Sequence, residues 1–459
     1  MKRIWGTCCL LLLWASLTLQ AQVWVSLPKQ QQMWQIHPAL TFQSGQKEGI
    51  QLDPTLRFQP IDGFGFTLTG GSSDLIYALA PAQRTKLLLE LFGQKSGQLA
   101  ISVLRIGVGA TDLDGEAYSY DDVVGDIKLT KFSLAKAQKS LIPLLKEIKA
   151  IQPGIKLMAT PWSPPAWMKD NLATKGGSLA PAFEAVYAQY LVKYFQAMAK
   201  EGLPIWALTP QNEPLHPGNN PSLLMTAGQQ NNWIKNHLGP ALVQAKLTTK
   251  LIIYDHNCDK PEYPIEILND PETRKYVDGS AFHLYNGDIS ALSTVKKAHP
   301  DKALYFTEQW TGSKGEFAGD FMWHIKNVII GALNNHAQTA LEWNLANNPN
   351  FEPYTPGGCT ECKGALTISK TGEITRNQAY YIIGQASRII PTGSVRIDLH
   401  GLPKGINGTA AKRPDGKIAM LLQNETNTSI KIPINLASNH AEVEVPGEGV
   451  VSILLDVRL

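Results

Sequence analysis

From residue 61 to about residue 387, short apolar runs alternate with longer stretches of helical spacing, a rhythm that predicts repeated strand–helix units. The strand-like runs cover residues 61–68, 101–106, 156–160, 204–208, 250–254, 279–285, 303–308 and 339–344. Helical patterns follow them at about 81–92, 134–150, 182–201, 231–245, 263–269, 291–298, 319–333 and 377–387. Eight of each predicts an α/β fold, the closed (β/α)8 TIM barrel. The flanks read differently. Residues 25–60 hold short alternating pieces such as Gly49-Ile50-Gln51-Leu52, and after Pro391 the pattern is purely β, as in 417–422 and 430–434. Asn, Gly and Pro turns separate these pieces, which suits a small β-sandwich built from both chain ends. The expected division is a leader over 1–21, sandwich strands over 22–60, the barrel over 61–390 and the rest of the sandwich over 391–459.

Bulk properties narrow this picture without changing it. At 459 residues the chain can bury one barrel and a small companion domain. A formal net charge of +3, with no Lys/Arg stripe, gives no footprint for nucleic acid. The 11 Trp residues are many; most serve as core filler, but indole faces also suit sugar rings. Met1-Lys2-Arg3, an apolar stretch from Leu10 to Leu19, and Leu19-Gln20-Ala21 have the form of an export leader, so the mature chain is expected to begin near Gln22. No later run reaches the ~18 apolar residues of a membrane-spanning helix. The expectation is a secreted or periplasmic monomer. Cys359-Thr360-Glu361-Cys362 reads as a local disulfide in an exported protein rather than a metal clip or redox pair. No second C-x-x-C or H-x-x-x-H completes a zinc site.

The candidate chemistry lies at the ends of the apolar runs, where a barrel of this kind carries its active site. Thr209-Pro210-Gln211-Asn212-Glu213-Pro214 follows the fourth run, and Pro214 cannot donate to a sheet ladder. The strand is therefore expected to end there and present Glu213 at its rim. Glu308 ends the seventh run in the same way. Two carboxylates at one mouth suit glycoside cleavage: one protonates the leaving oxygen and the other attacks the anomeric carbon. The other run ends add Arg105, Asp112, Trp162, Asn212, His283, Tyr285 and Trp343. Each also has a plain structural reading. Glu213 or Glu308 can be an ion-pair member, Arg105 a neutralising cation, His283 a core histidine, Trp162 a packing anchor and Asn212 a turn residue. Polar or aromatic groups at nearly every run end are harder to assign to folding alone.

Taken in order, Gly63-Phe64-Gly65, Leu104-Arg105-Ile106, Thr160-Pro161-Trp162-Ser163-Pro164-Pro165-Ala166-Trp167-Met168-Lys169, Gln211-Asn212-Glu213-Pro214, His283-Leu284-Tyr285, Phe306-Thr307-Glu308 and Trp343-Asn344-Leu345-Ala346 resemble glycoside hydrolase family 30. This family comprises glucosylceramidase-like retaining β-glycosidases. The resemblance implies Glu213 as acid/base and Glu308 as nucleophile, with Arg105 supporting the nucleophile's region. It implies sugar contacts from Asp112, Trp162, Asn212 and Trp343, with His283 and Tyr285 lining the same pocket. It implies a carbohydrate substrate and no metal or organic cofactor. Thr69-Gly70-Gly71-Ser72-Ser73 and Gln309-Trp310 depart from the lysosomal family member, while residues 215–221 look closer to bacterial β-1,6-glucan-cleaving relatives. The leading expectation is a secreted retaining hydrolase of β-glucosidic bonds, acting on β-1,6-glucan or a related glucoside. Glucosylceramide, β-xylosides or β-fucosides, and a non-catalytic carbohydrate-binding barrel are the alternatives.

Overall fold

The computed structural model describes residues 19–457. Eight parallel strands close into a barrel: β1 (Gly63–Thr67), β2 (Val103–Gly107), β3 (Lys156–Thr160), β4 (Ala207–Leu208), β5 (Lys250–Cys258), β6 (Gly279–Gly287), β7 (Ala303–Glu308) and β8 (Ala337–Asn344). They follow chain order around the ring, and β8 pairs with β1 to complete it. All eight fall on the expected runs.

The fourth is far shorter than expected. Pro204 has no amide hydrogen, and Trp206 donates to Leu157 O at 2.9 Å before ladder pairing with β3 begins at Ala207. The strand stops at Leu208, so Glu213 does not sit at a strand end set by Pro214. It sits beyond a four-residue excursion, with φ +43° and its amide donating to Asp255 O at 3.0 Å. Non-glycine residues rarely adopt that φ, and here the tie to β5 holds it in place.

The helices at Pro81–Phe92 and Ala291–Ala298 match expectation to the residue. The helix expected over 134–150 is α-helical only from Leu141 to Ile151, because Pro143 is tolerated in a first turn and not further in. Two others widen into π turns, at Ile234–Leu238 and Ile325–Ile330.

The barrel interior explains where the chemistry lies. Met158, Ala207, Ile252, Ala281 and Tyr305 form an apolar layer across it. Two residues further along each strand, the same face carries Thr160, Thr209, His283 and Thr307, because side chains alternate with period two. On β5 that rule would place Tyr254 in the polar layer. Instead the register against β6 slips between Tyr254 and His256, and Tyr254 and Asp255 take φ values of +75° and +65°. This bulge inserts one residue, so Asp255 enters the interior while Tyr254 joins the outer core.

Both chain ends build the second domain. Strands Leu19–Leu27, Gln32–His37, Gln43–Ser44 and Ile50–Pro60 join six strands from Val395–His400 to Val450–Val457. The largely antiparallel β-sandwich encloses a separate core that includes Val23, Ile50, Met420, Ile434 and Ile453. The barrel's last helix, Gln378–Ser387, docks on it: Gln385 accepts from Ser26 at 3.1 Å and Trp34 at 2.7 Å and donates to Ser452 at 2.7 Å. Most of the expected leader lies outside the described residues, and Leu19, Gln20 and Ala21 pair with Val457, Asp456 and Leu455. No helix among the described residues is long and apolar enough to cross a membrane.

Candidate active site

At the C-terminal mouth of the barrel lies a cavity of about 500 Å³. Asp112, Trp162, Asn212, Glu213, Tyr285, Glu308 and Trp343 line it, which is seven of the nine residues expected from sequence. The other two, Arg105 and His283, are fully buried beneath.

Arg105 organises the floor. Its guanidinium donates to Glu308 Oε2 at 2.6 Å, Asn212 Oδ1 at 2.6 Å, Asp255 Oδ2 at 2.9 Å and Thr160 Oγ1 at 3.2 Å. It also lies 4.6 Å from the Trp162 ring, which packs against Trp343 at 5.3 Å and 30°. A permanently charged, planar fork with five donors can hold so many acceptors in one geometry; lysine cannot. Because Arg105 takes the Asn212 oxygen, the Asn212 amide nitrogen has no protein partner among the described residues and can donate into the cavity.

Asp255 is the second anchor. Thr209 and Thr307 donate to it at 2.6 Å, and His283 Nε2 lies 3.2 Å away. Burial raises this carboxyl, but Arg105 and His283 outweigh that and hold it far below the usual range. His283 is thereby oriented with Nδ1 toward the mouth, 3.2 Å from Glu213 Oε1 and 3.7 Å from Glu308 Oε1. Burial disfavours its charge, yet Glu308, Asp255 and Glu213 raise it to about 9.

The two glutamates differ in their partners. Glu308 has Arg105 on one oxygen and the Tyr285 hydroxyl, at 2.9 Å, on the other. Burial raises Glu308, opposed by His283 and Arg105. Glu213 is equally buried, but the His256 and His283 imidazoles beside it outweigh the burial and hold it low. In the free mouth one proton is thus stored on His283, a single hydrogen bond away from Glu213. Transfer across that contact leaves a neutral imidazole and a Glu213 acid.

A fourth carboxyl behaves oppositely to Asp255. Burial, then repulsion from Glu308, pushes Asp112 up to about 7, although the Cys359 amide donates to it at 3.3 Å. The Cys359–Cys362 disulfide expected from the sequence is present and clips this loop against Asp112. The folded chain keeps the Asp112 proton between about pH 4 and 7, where the unfolded chain has lost it. Stability therefore falls as pH rises through that window. Asp112→Asn is expected to flatten the slope of Tm against pH between 4 and 7; an unchanged slope would contradict the assignment.

Sequence reasoning missed Asp255, His256 and Asn257, because the fifth run was ended at Tyr254. The available signal was a polar triplet directly after a buried run, but only the bulge decides which of the three faces inward. It also missed the Thr209 and Thr307 hydroxyls that donate to Asp255, and the lining contributed by His216 and Asn219. Trp310, noted as a departure, lines the same cavity. Among the described residues, Glu213, His256 and His283 bring three potential metal-ligand atoms within 4.8 Å of one another.

The model for the Glycosyl hydrolase family 30 TIM-barrel domain matches residues 61–390, and that for the family's β-sandwich domain matches 393–453. The chain belongs to glycosyl hydrolase family 30. It is a glycoside hydrolase. An endo-1,6-β-D-glucanase of Neurospora crassa is 34% identical over 404 residues, spanning 84% of this chain and 83% of that protein. The lysosomal acid glucosylceramidase of Mus musculus is 31% identical over 411 residues, 84% of this chain and 79% of its own length. Among solved structures, the endo-β1,6-glucanase BT3312 superposes with a TM-score of 0.88 at 33% identity, covering 95% of this chain and 99% of the other. Family 30 membership agrees with the resemblance read from the motifs.

Proposed function

We propose that this family 30 enzyme is an exported retaining β-glucanase that cleaves β-1,6-glucosidic bonds by double displacement, with Glu213 as acid/base and Glu308 as nucleophile. The observation that carries the reading is the convergence of two carboxylates on one cavity, each with an oxygen within 3.7 Å of His283 Nδ1. One nitrogen in reach of both favours the roughly 5–5.5 Å spacing of retaining pairs over the wider part of the roughly 6.5–9.5 Å inverting range.

In the first step Glu308 attacks the anomeric carbon while Glu213 protonates the leaving oxygen. Arg105 and Tyr285 hold the Glu308 carboxylate on its two oxygens, so it enters already aligned. The proton on the Glu213–His283 pair supplies the acid. Asn212, its oxygen fixed by Arg105, donates to the sugar 2-OH, a contact that strengthens as charge develops at the ring. Trp162 and Trp343 wall the sugar, and Asp112 accepts from its hydroxyls. Water then enters on the leaving-group side, gives its proton to Glu213 and releases Glu308 with the original configuration restored.

The linkage rests on the Neurospora endo-1,6-β-D-glucanase and the endo-β1,6-glucanase BT3312, which are similar over both domains. Glucosylceramide is the second reading, favoured by the mouse relative. Export rests on the leader pattern in residues 1–21, with the sandwich from 22–60 and 391–459 around a barrel at 61–390. Hydrolysis of β-1,6-glucan, an aryl β-glucoside and glucosylceramide by one preparation tests the substrate. The expected order by kcat/KM places β-1,6-glucan above glucosylceramide by at least about tenfold, or 1.4 kcal/mol in transition-state stabilisation. The reverse order would reassign the enzyme to glycolipid.

A further inference from the structure

Three ligand atoms meet on one side of the mouth: Glu213 Oε1, His256 Nδ1 and His283 Nδ1. The two imidazole nitrogens stand 3.8 and 3.2 Å from the same carboxylate oxygen. Zinc–nitrogen and zinc–oxygen bonds of about 2.0–2.1 Å in a tetrahedron give ligand-to-ligand edges of about 3.3–3.4 Å, a value the two distances bracket. Two histidines and a glutamate, with a fourth position open to a cavity, form a donor set well suited to zinc.

Two independent features point the same way. His256 Nδ1 is buried and has no hydrogen-bond partner, and at 3.8 Å it is too far from Glu213 to bond it directly. A buried polar atom left so is costly, and an ion between the three atoms would satisfy it. His283 also presents its second nitrogen to Asp255 Oδ1 at 3.2 Å, the carboxylate–histidine arrangement that fixes the ring of a metal-binding imidazole.

We propose that Glu213, His256 and His283 form a binding site for a borderline divalent transition ion such as Zn²⁺, and that its occupation reversibly shuts the enzyme. The ion would take the Glu213 oxygen needed to protonate the leaving group, so the site is inhibitory and is not part of the hydrolytic cycle. Mg²⁺ and Ca²⁺ prefer all-oxygen shells and would not compete here. The blocking half of the proposal rests on the role given to Glu213; the binding half does not.

Two measurements separate those halves. Equilibrium dialysis of metal-free enzyme against Zn²⁺ is expected to show one site that weakens at least tenfold in His256→Phe and in His256→Gln, both checked for wild-type-like melting. Hydrolysis of a β-1,6-linked glucose disaccharide, whose poor leaving group needs the acid, is expected to fall with Zn²⁺ in the micromolar range, to recover fully with a chelator and to ignore Mg²⁺. Rates of each variant, taken relative to its own zinc-free rate, are expected to need at least tenfold more Zn²⁺ for the same loss. Equal zinc affinity in wild type and both variants overturns the site and leaves the Glu213 assignment standing. Zinc binding that depends on His256 but leaves hydrolysis untouched overturns the blocking and counts against Glu213 as the acid.

Discussion

Glu308→Gln is expected to lower kcat/KM on an aryl β-glucoside by on the order of 10⁴-fold or more, about 5.5 kcal/mol of barrier, while leaving the fold intact. The amide keeps the shape and the hydrogen bond to Tyr285 but cannot displace a leaving group. The fold survives because Arg105 retains Asp255, at 2.9 Å, as a charge partner. The loss is chemical and not structural, so thermal melting of the variant should stay near that of the wild type. Glu308→Gly makes the test sharper. Added azide can occupy the vacated position and attack the anomeric carbon, and the product is expected to be a glycosyl azide of inverted configuration. Turnover of the Gln variant within tenfold of wild type would remove Glu308 from the nucleophile's role.

Glu213→Ala is expected to show a loss that depends on the leaving group. With an activated aryl β-glucoside, kcat/KM should fall by less than about tenfold, because the departing phenolate needs little protonation. With a β-1,6-linked glucose disaccharide the leaving alcohol is poor, and the loss should reach roughly 10²–10⁴-fold. The contrast matters because Glu213 is held low in the free mouth by His256 and His283 against its burial. A carboxylate held so acts as an acid only by drawing on the proton stored at His283, 3.2 Å away. Glu213→Gln is the companion variant: it keeps a hydrogen-bonding group beside both histidines, so a similar leaving-group dependence separates lost proton transfer from disturbed packing. Equal losses on the two substrates would refute the acid role.

Much of this architecture was legible in the order of apolar and polar residues. The eight runs are visible in the sequence because buried parallel strands need continuous apolar segments, and such segments are local properties of the chain. Their ends were legible as chemistry for the same reason: Glu308 closes a buried run with a charge that folding does not require. Helix limits followed local rules where those rules were strong. The helix Pro81–Phe92 begins at a proline, a strong local start signal, whereas Leu141–Ile151 starts later than its apolar spacing predicts because Pro143 is tolerated only in a first turn.

Other features depended on contacts between distant strands. Glu213 looked like a strand-end residue, but the short pairing of Ala207–Leu208 leaves it on a turn fastened to Asp255. Asp255 itself was invisible to a period-two reading, because the bulge at Tyr254 changes which side chain faces inward. No local signal tied Arg105 to four partners drawn from β3, the loop after β4, β5 and β7. The sequence by itself determined the barrel, the sandwich and the residue types at the mouth, because alternation and burial are set by near neighbours. The tertiary structure decided which of those residues share charge and protons. Coulomb and hydrogen-bond interactions act over a few ångströms of space, and only closure of the ring brings Arg105, Glu213, Asp255, His283 and Glu308 within that range.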